Sequence, residues 1–217
     1  MQYHIQTAPI WDAYRSDGCP LCRLFGTKED KLIAQYLSDN VMDPDFRVAS
    51  NNKGFCKKHI DMMYSGKNKL GLALQLETRA AALNAMIKAP TDKKSAKKFA
   101  ETLEKHRGCV ICDTLDEIMP RYYMTVAQMY FNEPEFPKLF VDASHCLYHA
   151  IQLFAVAECA GKQVSAFCSS LSYSLKRDLK ATESELRDFA DCFDYKNAGA
   201  RPDPTSIPRA IKLLITK

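Results

Sequence analysis

The stretch GCPLC at residues 18–22 is followed by CKKH at residues 56–59, with 33 residues between Cys22 and Cys56. Moving along the chain by 90 residues gives GCVIC at 108–112 and CLYH at 146–149, again with 33 residues between them. A period of 90 residues is too long for a solenoid repeat. We therefore interpret the chain as a tandem duplication whose fixed positions are cysteines and histidines.

Each copy supplies three thiols and one imidazole, which is a common ligand set of closed, four-coordinate zinc sites. The sequence predicts two Zn²⁺ ions per chain and no other cofactor. An iron–sulfur cluster with one histidine ligand and buried cysteines without metal are the alternatives. The predicted metal ligands are Cys19, Cys22, Cys56, His59, Cys109, Cys112, Cys146 and His149.

The pairing of these ligands has two solutions. Each site could use the cysteines and histidine of its own copy, or it could combine the CxxC motif of one copy with the CxxH motif of the other. The equal spacing in both copies favours sites formed within a copy. A metal ion would then join the start of one long helix to the start of another, across 33 residues.

The apolar spacing predicts an all-α fold, because positions three and four apart recur after both CxxC motifs and no convincing alternation is present. The predicted domains are 1–90 and 91–180 as the two helical repeats and 181–217 as a helical appendage, which could together form one continuous domain. Helix starts are expected at Asp43-Pro44, where Asp caps and Pro takes the first turn, and at each CxxH. The other expected helices are 70–87, 92–106, 164–179, 183 to about 195 after the capping box Thr182-x-x-Glu185, and one from Ser206.

The composition is that of a globular protein, with 47% apolar and 26% charged residues and a net charge of +4. No apolar run is long enough to span a bilayer, and residues 1–18 lack the pattern of a secretory signal. Cysteines paired as CxxC without a signal favour metal binding in a reducing compartment over disulfides. A cytoplasmic protein without membrane association is expected.

Several other residues have an ordinary interpretation. Cys159, Cys168 and Cys192 have no counterpart in the other copy and are read as structural. His145 adjoins a predicted ligand, but the 90-residue shift selects His149. The basic face formed by Lys93, Lys94, Lys97 and Lys98 is read as a solvated helix surface in preference to a nucleic-acid patch.

The motifs CPLCRL (19–24), DPDFR (43–47) and GFCKKH (54–59), together with the second CxxC…CxxH copy and CFDYKN (192–197), resemble an uncharacterised family of bacterial, clostridia-like proteins. The resemblance covers nearly the whole chain and implies a cytoplasmic helical protein with the duplicated motif. It implies no activity. Gly54-Phe55 is replaced by Ser144-His145 in the second copy, which departs from the pattern of that family.

Three functions follow from these patterns. The first is a zinc-stabilised, non-enzymatic interaction or regulatory module, because the predicted sites are closed and no catalytic motif is present. The second is a thiol redox switch or oxidoreductase that uses the CPLC pair. The third is nucleic-acid binding, which the modest charge disfavours. A protein partner is compatible with the first function, and the sequence does not specify the oligomeric state.

Overall fold

The computed structural model describes residues 7–194 and 201–215, and within these residues it contains helices and connecting loops but no β-strand. The predicted all-α fold is confirmed. A π-helical segment, Gln35–Asp39, follows the second α-helix, and a 3₁₀ segment, Ala157–Gln163, precedes the tenth. The α-helices are α1 Thr7–Tyr14, α2 Pro20–Ala34, α3 Pro44–Lys53, α4 Lys57–Ser65, α5 Lys69–Met86, α6 Lys93–Lys105, α7 Val110–Asn132, α8 Phe136–Asp142, α9 Leu147–Ala155, α10 Val164–Asp191 and α11 Ser206–Leu214.

Side-chain caps begin some of the helices, including the one predicted at Asp43. Asp43 accepts a hydrogen bond from the backbone N–H of Asp45 at 2.9 Å, and Pro44 is the first residue of α3. Asp92 caps α6 through the N–H groups of Lys94 and Ser95. In each case the short polar side chain satisfies donors that the first helical turn leaves open.

The break predicted between 179 and 183 is wrong, because α10 runs without interruption from Val164 to Asp191. The residues Lys180, Ala181 and Thr182 include neither Gly nor Pro, so nothing in the backbone stops the helix. The Thr182-x-x-Glu185 pattern therefore lies inside a helix rather than at its start. Residue 195, the expected end of that helix, lies outside the described residues.

The chain divides into two compact units, which we call unit 1 (Met1–Gly26 with Ile118–Lys217) and unit 2 (Thr27–Glu117). These units do not coincide with the predicted segments 1–90, 91–180 and 181–217. Each unit combines parts of both sequence copies. The boundaries of the sequence repeat are therefore not the boundaries of the packed units.

Unit 1 contains an extensive aromatic core. Phe136, Phe140 and Phe167 are fully buried, with ring centroids 4.9 Å apart for Phe140 and Phe167. Tyr14 of α1 packs on Phe136, and Tyr130 of α7 packs on Phe140. Burial of large aromatic rings makes this core the main apolar contribution to the stability of unit 1.

Unit 2 has a smaller apolar interior. Leu37, Met63, Leu72 and Ile111 are buried, and Tyr36 packs against neighbouring rings. Among the thirteen residues of α6, none is buried. Unit 2 therefore gains less from apolar burial than unit 1 does.

In residues 7–194 and 201–215, no helix combines the length and the apolar character needed to cross a lipid bilayer.

Candidate metal centres

The eight cysteine and histidine residues predicted from the repeat lie in two clusters of four. In each cluster the ligand atoms all lie within 4.8 Å of one another. Site 1, in unit 1, contains Cys19, Cys22, Cys146 and His149. Site 2, in unit 2, contains Cys56, His59, Cys109 and Cys112.

The expectation that each site forms within one copy is wrong. Both clusters combine the CxxC motif of one copy with the CxxH motif of the other. In unit 2 the reason is visible in the path of the chain after CKKH, at residues 56–59. Helices α5 and α6 carry the chain away and back, so that Gly108 N–H donates to Lys53 O and Val110 N–H donates to Gly54 O, both at 3.0 Å.

All the ligands lie at helix N-termini. Cys56 and Cys146 occupy the N-cap positions of α4 and α9, and each histidine follows in the first turn. Cys19 and Cys109 directly precede α2 and α7. The partial positive charge at the start of a helix favours thiolates, which are the form that binds metal.

In site 1 the imidazole is surrounded by sulfur. His149 Nδ1 lies 3.1 Å from Cys146 Sγ, 3.3 Å from Cys22 Sγ and 3.6 Å from Cys19 Sγ. The sulfurs of Cys22 and Cys146 are 3.6 Å apart. His149 is 1% exposed, whereas Cys19 and Cys22 are partly exposed.

Site 2 has the same arrangement. His59 Nδ1 lies 3.2 Å from the sulfurs of Cys56 and Cys109 and 3.5 Å from that of Cys112. Cys56 Sγ and Cys112 Sγ are 3.8 Å apart. His59 is buried, at 2% exposure.

These distances fit a four-coordinate metal. Zinc–sulfur bonds of about 2.3 Å in a tetrahedron place the sulfurs about 3.8 Å apart and the sulfur and nitrogen ligands about 3.5 Å apart. A disulfide would instead bring two sulfurs to about 2.05 Å, and all nine cysteines are free. The donor set and the spacing therefore suit a tetrahedral ion in both clusters.

Without a metal ion the pKa values of the site 2 side chains shift in different directions. Burial opposes protonation of His59, but its contacts with Cys109 and Glu29 outweigh burial and raise its pKa to about 9. Burial likewise opposes ionisation of Cys109, but the interaction with His59 lowers its pKa to about 6. Burial and the neighbouring Cys109 raise the pKa of Cys112 to about 12. A divalent cation would displace the protons that His59 and Cys112 hold at neutral pH.

Site 1 has the same tendency. Burial opposes protonation of His149, but the contacts with Cys146 and Cys19 raise its pKa to about 9. Hydrogen bonding to Cys146 and Cys19, followed by burial, raises the pKa of Cys22 far above its usual value. A metal ion would therefore compete with protons at this site as well.

The two imidazoles differ in the hydrogen-bond partner of Nε2, the ring nitrogen that does not face the sulfurs. His59 Nε2–H donates to Glu29 Oε1 at 2.9 Å, and Lys58 Nζ donates to the same oxygen at 2.6 Å. Glu29 is only 6% exposed. The Nε2 atom of His149 is buried and has no hydrogen-bond partner among the described residues. A carboxylate behind a ligating histidine fixes its tautomer and strengthens it as a donor, so site 2 has a support that site 1 lacks.

Sequence reasoning missed Glu29, although the repeat contains a signal for it. The residue 90 positions later is Met119, which is 3% exposed. An apolar counterpart marks the position as one that faces inward, so an acidic side chain there needs a partner.

The remaining candidates lie outside both clusters. His145 is buried, and its Nε2 is 3.1 Å from Tyr14 Oη. Burial lowers the pKa of His145 to about 4. Cys159 and Cys168 pack against the apolar core of unit 1, and Cys192 Sγ donates to Asp188 O.

Each site borders a cavity. The cavity beside site 1 has a volume of about 670 Å³ and is lined partly by Cys19, Cys22 and Cys146. The cavity beside site 2 measures about 610 Å³ and is lined partly by Cys56 and Cys109. Solvent therefore reaches one side of each ligand cluster.

Comparison with known proteins gives a family. No curated protein and no solved structure matches the chain. A family model matches residues 1–216, which is nearly the full length and includes both ligand clusters. The chain therefore belongs to the family of unknown function DUF6062.

Proposed function

We propose that this protein binds two structural Zn²⁺ ions and works as a non-enzymatic interaction or regulatory module. The observation that carries the proposal is the gathering of three sulfurs and one imidazole nitrogen within 4.8 Å in each of two places. Four such donors fill the coordination sphere of zinc and leave no position for a substrate or a reactive water. A structural role follows from this closed ligand set.

Zinc suits this donor set better than the alternatives do. Thiolate and imidazole ligands in a tetrahedron are typical of Zn²⁺. Iron–sulfur clusters are usually held by four cysteines, and each site offers three. Carboxylate-preferring ions such as Mg²⁺ and Ca²⁺ are disfavoured by the sulfur donors.

A structural metal here would hold together segments that are far apart in sequence. Site 1 connects the start of α2 to the start of α9, and site 2 connects the start of α4 to the start of α7. Zinc binding in small domains contributes roughly 10–16 kcal/mol, which rivals the stability of a whole domain. The reducing cytoplasm, where thiols persist, is the proposed location.

Metal analysis of protein purified without added metal tests the proposal. We expect about two zinc per chain by plasma mass spectrometry, and about one in Cys146→Ser, which removes one sulfur from site 1. Cys192→Ser is the control, because this cysteine belongs to neither cluster, and it should retain two.

Metal-free protein with a reversible Cys19–Cys22 disulfide would contradict the proposal and favour the thiol redox function instead. Thiol titration with and without a chelator provides the second measurement. Bound zinc should slow the reaction of the cluster cysteines, and chelation should restore it.

A further inference from the structure

Helix α6, Lys93–Lys105, adds no buried side chain to its unit. It forms because its own sequence favours a helix: Asp92 and Ser95 make a capping box, and alanine, lysine, leucine and glutamate fill most other positions. An isolated helix of this length is marginal in water. The fold thus maintains a helix from which its core gains little.

Helix α6 and the residues that flank it carry an excess of positive charge. Residues 88–107 contain seven lysines and arginines against three acidic residues, a net charge of +4, which equals the net charge of all 217 residues. The rest of the chain sums to zero but includes a second basic stretch, residues 47–69, with six lysines and arginines against one acidic residue; its Lys53, Lys57 and Lys58 are ion-paired. A field of one sign at a single helix is the arrangement that steers a partner of opposite charge.

The lysines of α6 are available for such a partner. Lys93, Lys94, Lys97 and Lys98 are exposed, and none forms an ion pair within the described residues. They cluster in the first two turns, where the helix dipole adds positive potential. Elsewhere in unit 2, by contrast, Lys53 and Lys57 are paired with Asp113 and Asp61.

A small apolar groove lies beside these lysines. It has a volume of about 320 Å³ between α6 and the loop before it. Ala89, Pro90 and Phe99 contribute apolar surface, and Lys88 and Lys98 lie at its edge. The groove is large enough for one apolar side chain, with positive charge on the chain segments that border it.

We propose that α6 and this groove, the α6 surface, bind an acidic peptide segment of a partner protein that carries one large apolar side chain. Glutamates and aspartates would pair with the lysines, and the apolar side chain would contact Phe99. This proposal names the partner chemistry of the interaction module and so rests on the proposed function.

Two other anionic partners fit less well. A membrane-binding amphipathic helix inserts several fully exposed large apolar side chains, whereas the two of α6, Phe99 and Leu103, are only partly exposed. A nucleic-acid surface usually adds arginine, amide or aromatic side chains to its lysines, and the residues between Lys93 and Lys98 are serine and alanine. The groove adds an apolar component that phosphate binding alone does not use.

The position of the α6 surface depends on site 2. Arg79 donates hydrogen bonds to Asn51 O and to His106 O, the C-cap residue of α6. Two residues after His106, Gly108 N–H donates to Lys53 O, and Cys109 follows as a ligand of site 2. Metal bound at site 2 would therefore hold the end of α6 in place.

Fluorescence anisotropy on the zinc-loaded full chain tests the proposal. The probe is a labelled ten-residue peptide of glutamates with one central phenylalanine, and the same peptide with alanine in its place is the comparison. We expect binding that is at least about fivefold weaker for the alanine peptide. Phe99→Ala should remove that difference.

A matched pair of charge reversals locates the interaction. Lys94→Glu with Lys98→Glu should weaken peptide binding at least about tenfold. Lys176→Glu with Lys180→Glu changes the net charge equally, at two exposed lysines with the same spacing on α10, and should alter binding by less than about threefold.

Four results would overturn the proposal: no peptide binding, equal loss in both double variants, equal affinity for the two peptides, or tighter binding to oligo(dT) or phosphatidylserine vesicles. Zinc content is measured on the same samples. A protein that holds two zinc but binds no peptide refutes the α6 surface alone, whereas a protein without zinc refutes the proposed function.

Discussion

Site 1 and site 2 have the same four donors but different surroundings. At site 2 a buried carboxylate, Glu29, supports the ligating imidazole, and two backbone hydrogen bonds join the chain segments that carry the ligands. At site 1 the imidazole lacks such a partner among the described residues, and no equivalent pair of backbone bonds is present there. The ligand motif is present at both sites, whereas this support is found at only one of them among the described residues.

Individual residues explain the difference. Met119 takes the repeat position of Glu29, and Pro20, which has no N–H, takes that of Val110. Apolar packing differs in the opposite sense. Site 1 borders the aromatic core of unit 1, whereas site 2 belongs to unit 2, which has little apolar interior. We therefore expect site 2 to bind metal more tightly and its unit to depend on that metal more strongly.

The largest expected effect is the loss of a site 2 sulfur. Cys109→Ser should release one zinc and unfold unit 2, since about 10–16 kcal/mol of metal binding supports a small core. Cys146→Ser should release one zinc and leave the core of unit 1 protected. Residue-resolved hydrogen exchange distinguishes the two results.

Cys192→Ser is the control for these variants and should match the unaltered protein in both units. If Cys109→Ser and Cys146→Ser reduced the hydrogen-exchange protection of unit 2 and unit 1 equally, the expected difference between the two units would be refuted.

Acid should release metal from both sites. At site 2 zinc must displace protons from His59, whose pKa is raised to about 9, and from Cys112, whose pKa is raised to about 12. Both groups are protonated at pH 7 without metal, so binding releases at least two protons and the affinity rises roughly a hundredfold per pH unit below pH 9. Competition with a chromogenic chelator between pH 6 and 8 measures the slope. A slope below tenfold per unit would show that these protons are not displaced.

Removing the carboxylate behind His59 should have a smaller effect, confined to site 2. Glu29→Gln should lower the zinc affinity of that site by about 10–100-fold, the usual cost of losing an outer partner of a metal ligand. Chelator titration should then show that the zinc affinity of site 2 no longer exceeds that of site 1.

Asp30→Asn is the matched control, because Asp30 is the exposed neighbour on the same helix and the charge change is identical. A similar loss in this variant would mean that general electrostatics, rather than the bond to His59, sets the affinity.

The smallest expected effect concerns the backbone. Val110→Pro gives site 2 the residue found at site 1 and removes the N–H that donates to Gly54 O. Proline is accepted at the first position of a helix, so the main loss is one hydrogen bond of about 1 kcal/mol, or about fivefold in zinc affinity. Pro20→Val is the converse variant and should leave site 1 within twofold, because no equivalent bond exists there to restore. An unchanged site 2 in Val110→Pro would show that the bond adds nothing to the metal centre.

The sequence predicts much of the local structure because local rules set it. Asp43-Pro44 caps a helix at the expected position, α6 lies within the expected range 92–106, and each CxxH begins a helix. The break before Thr182 is the exception. A capping pattern is also compatible with the interior of a helix when no glycine or proline precedes it.

The grouping of the ligands is a different problem. The repeat identifies all eight residues, but equal spacing within each copy carries no information on which copy folds against which. That choice depends on the path of the chain through α5 and α6, which returns residues 108–110 to residues 53–54. Long-range packing of this kind is absent from a spacing pattern.

The crossed pairing of the ligands fixes the order in which ribosomal synthesis can complete the sites. Neither site has all its donors until the chain has passed the middle: site 2 is complete once Cys112 has emerged, and site 1 only after His149. During translation the nascent protein therefore gains its better supported centre first. Cys19 and Cys22 therefore emerge more than a hundred residues before His149, the last donor of their site.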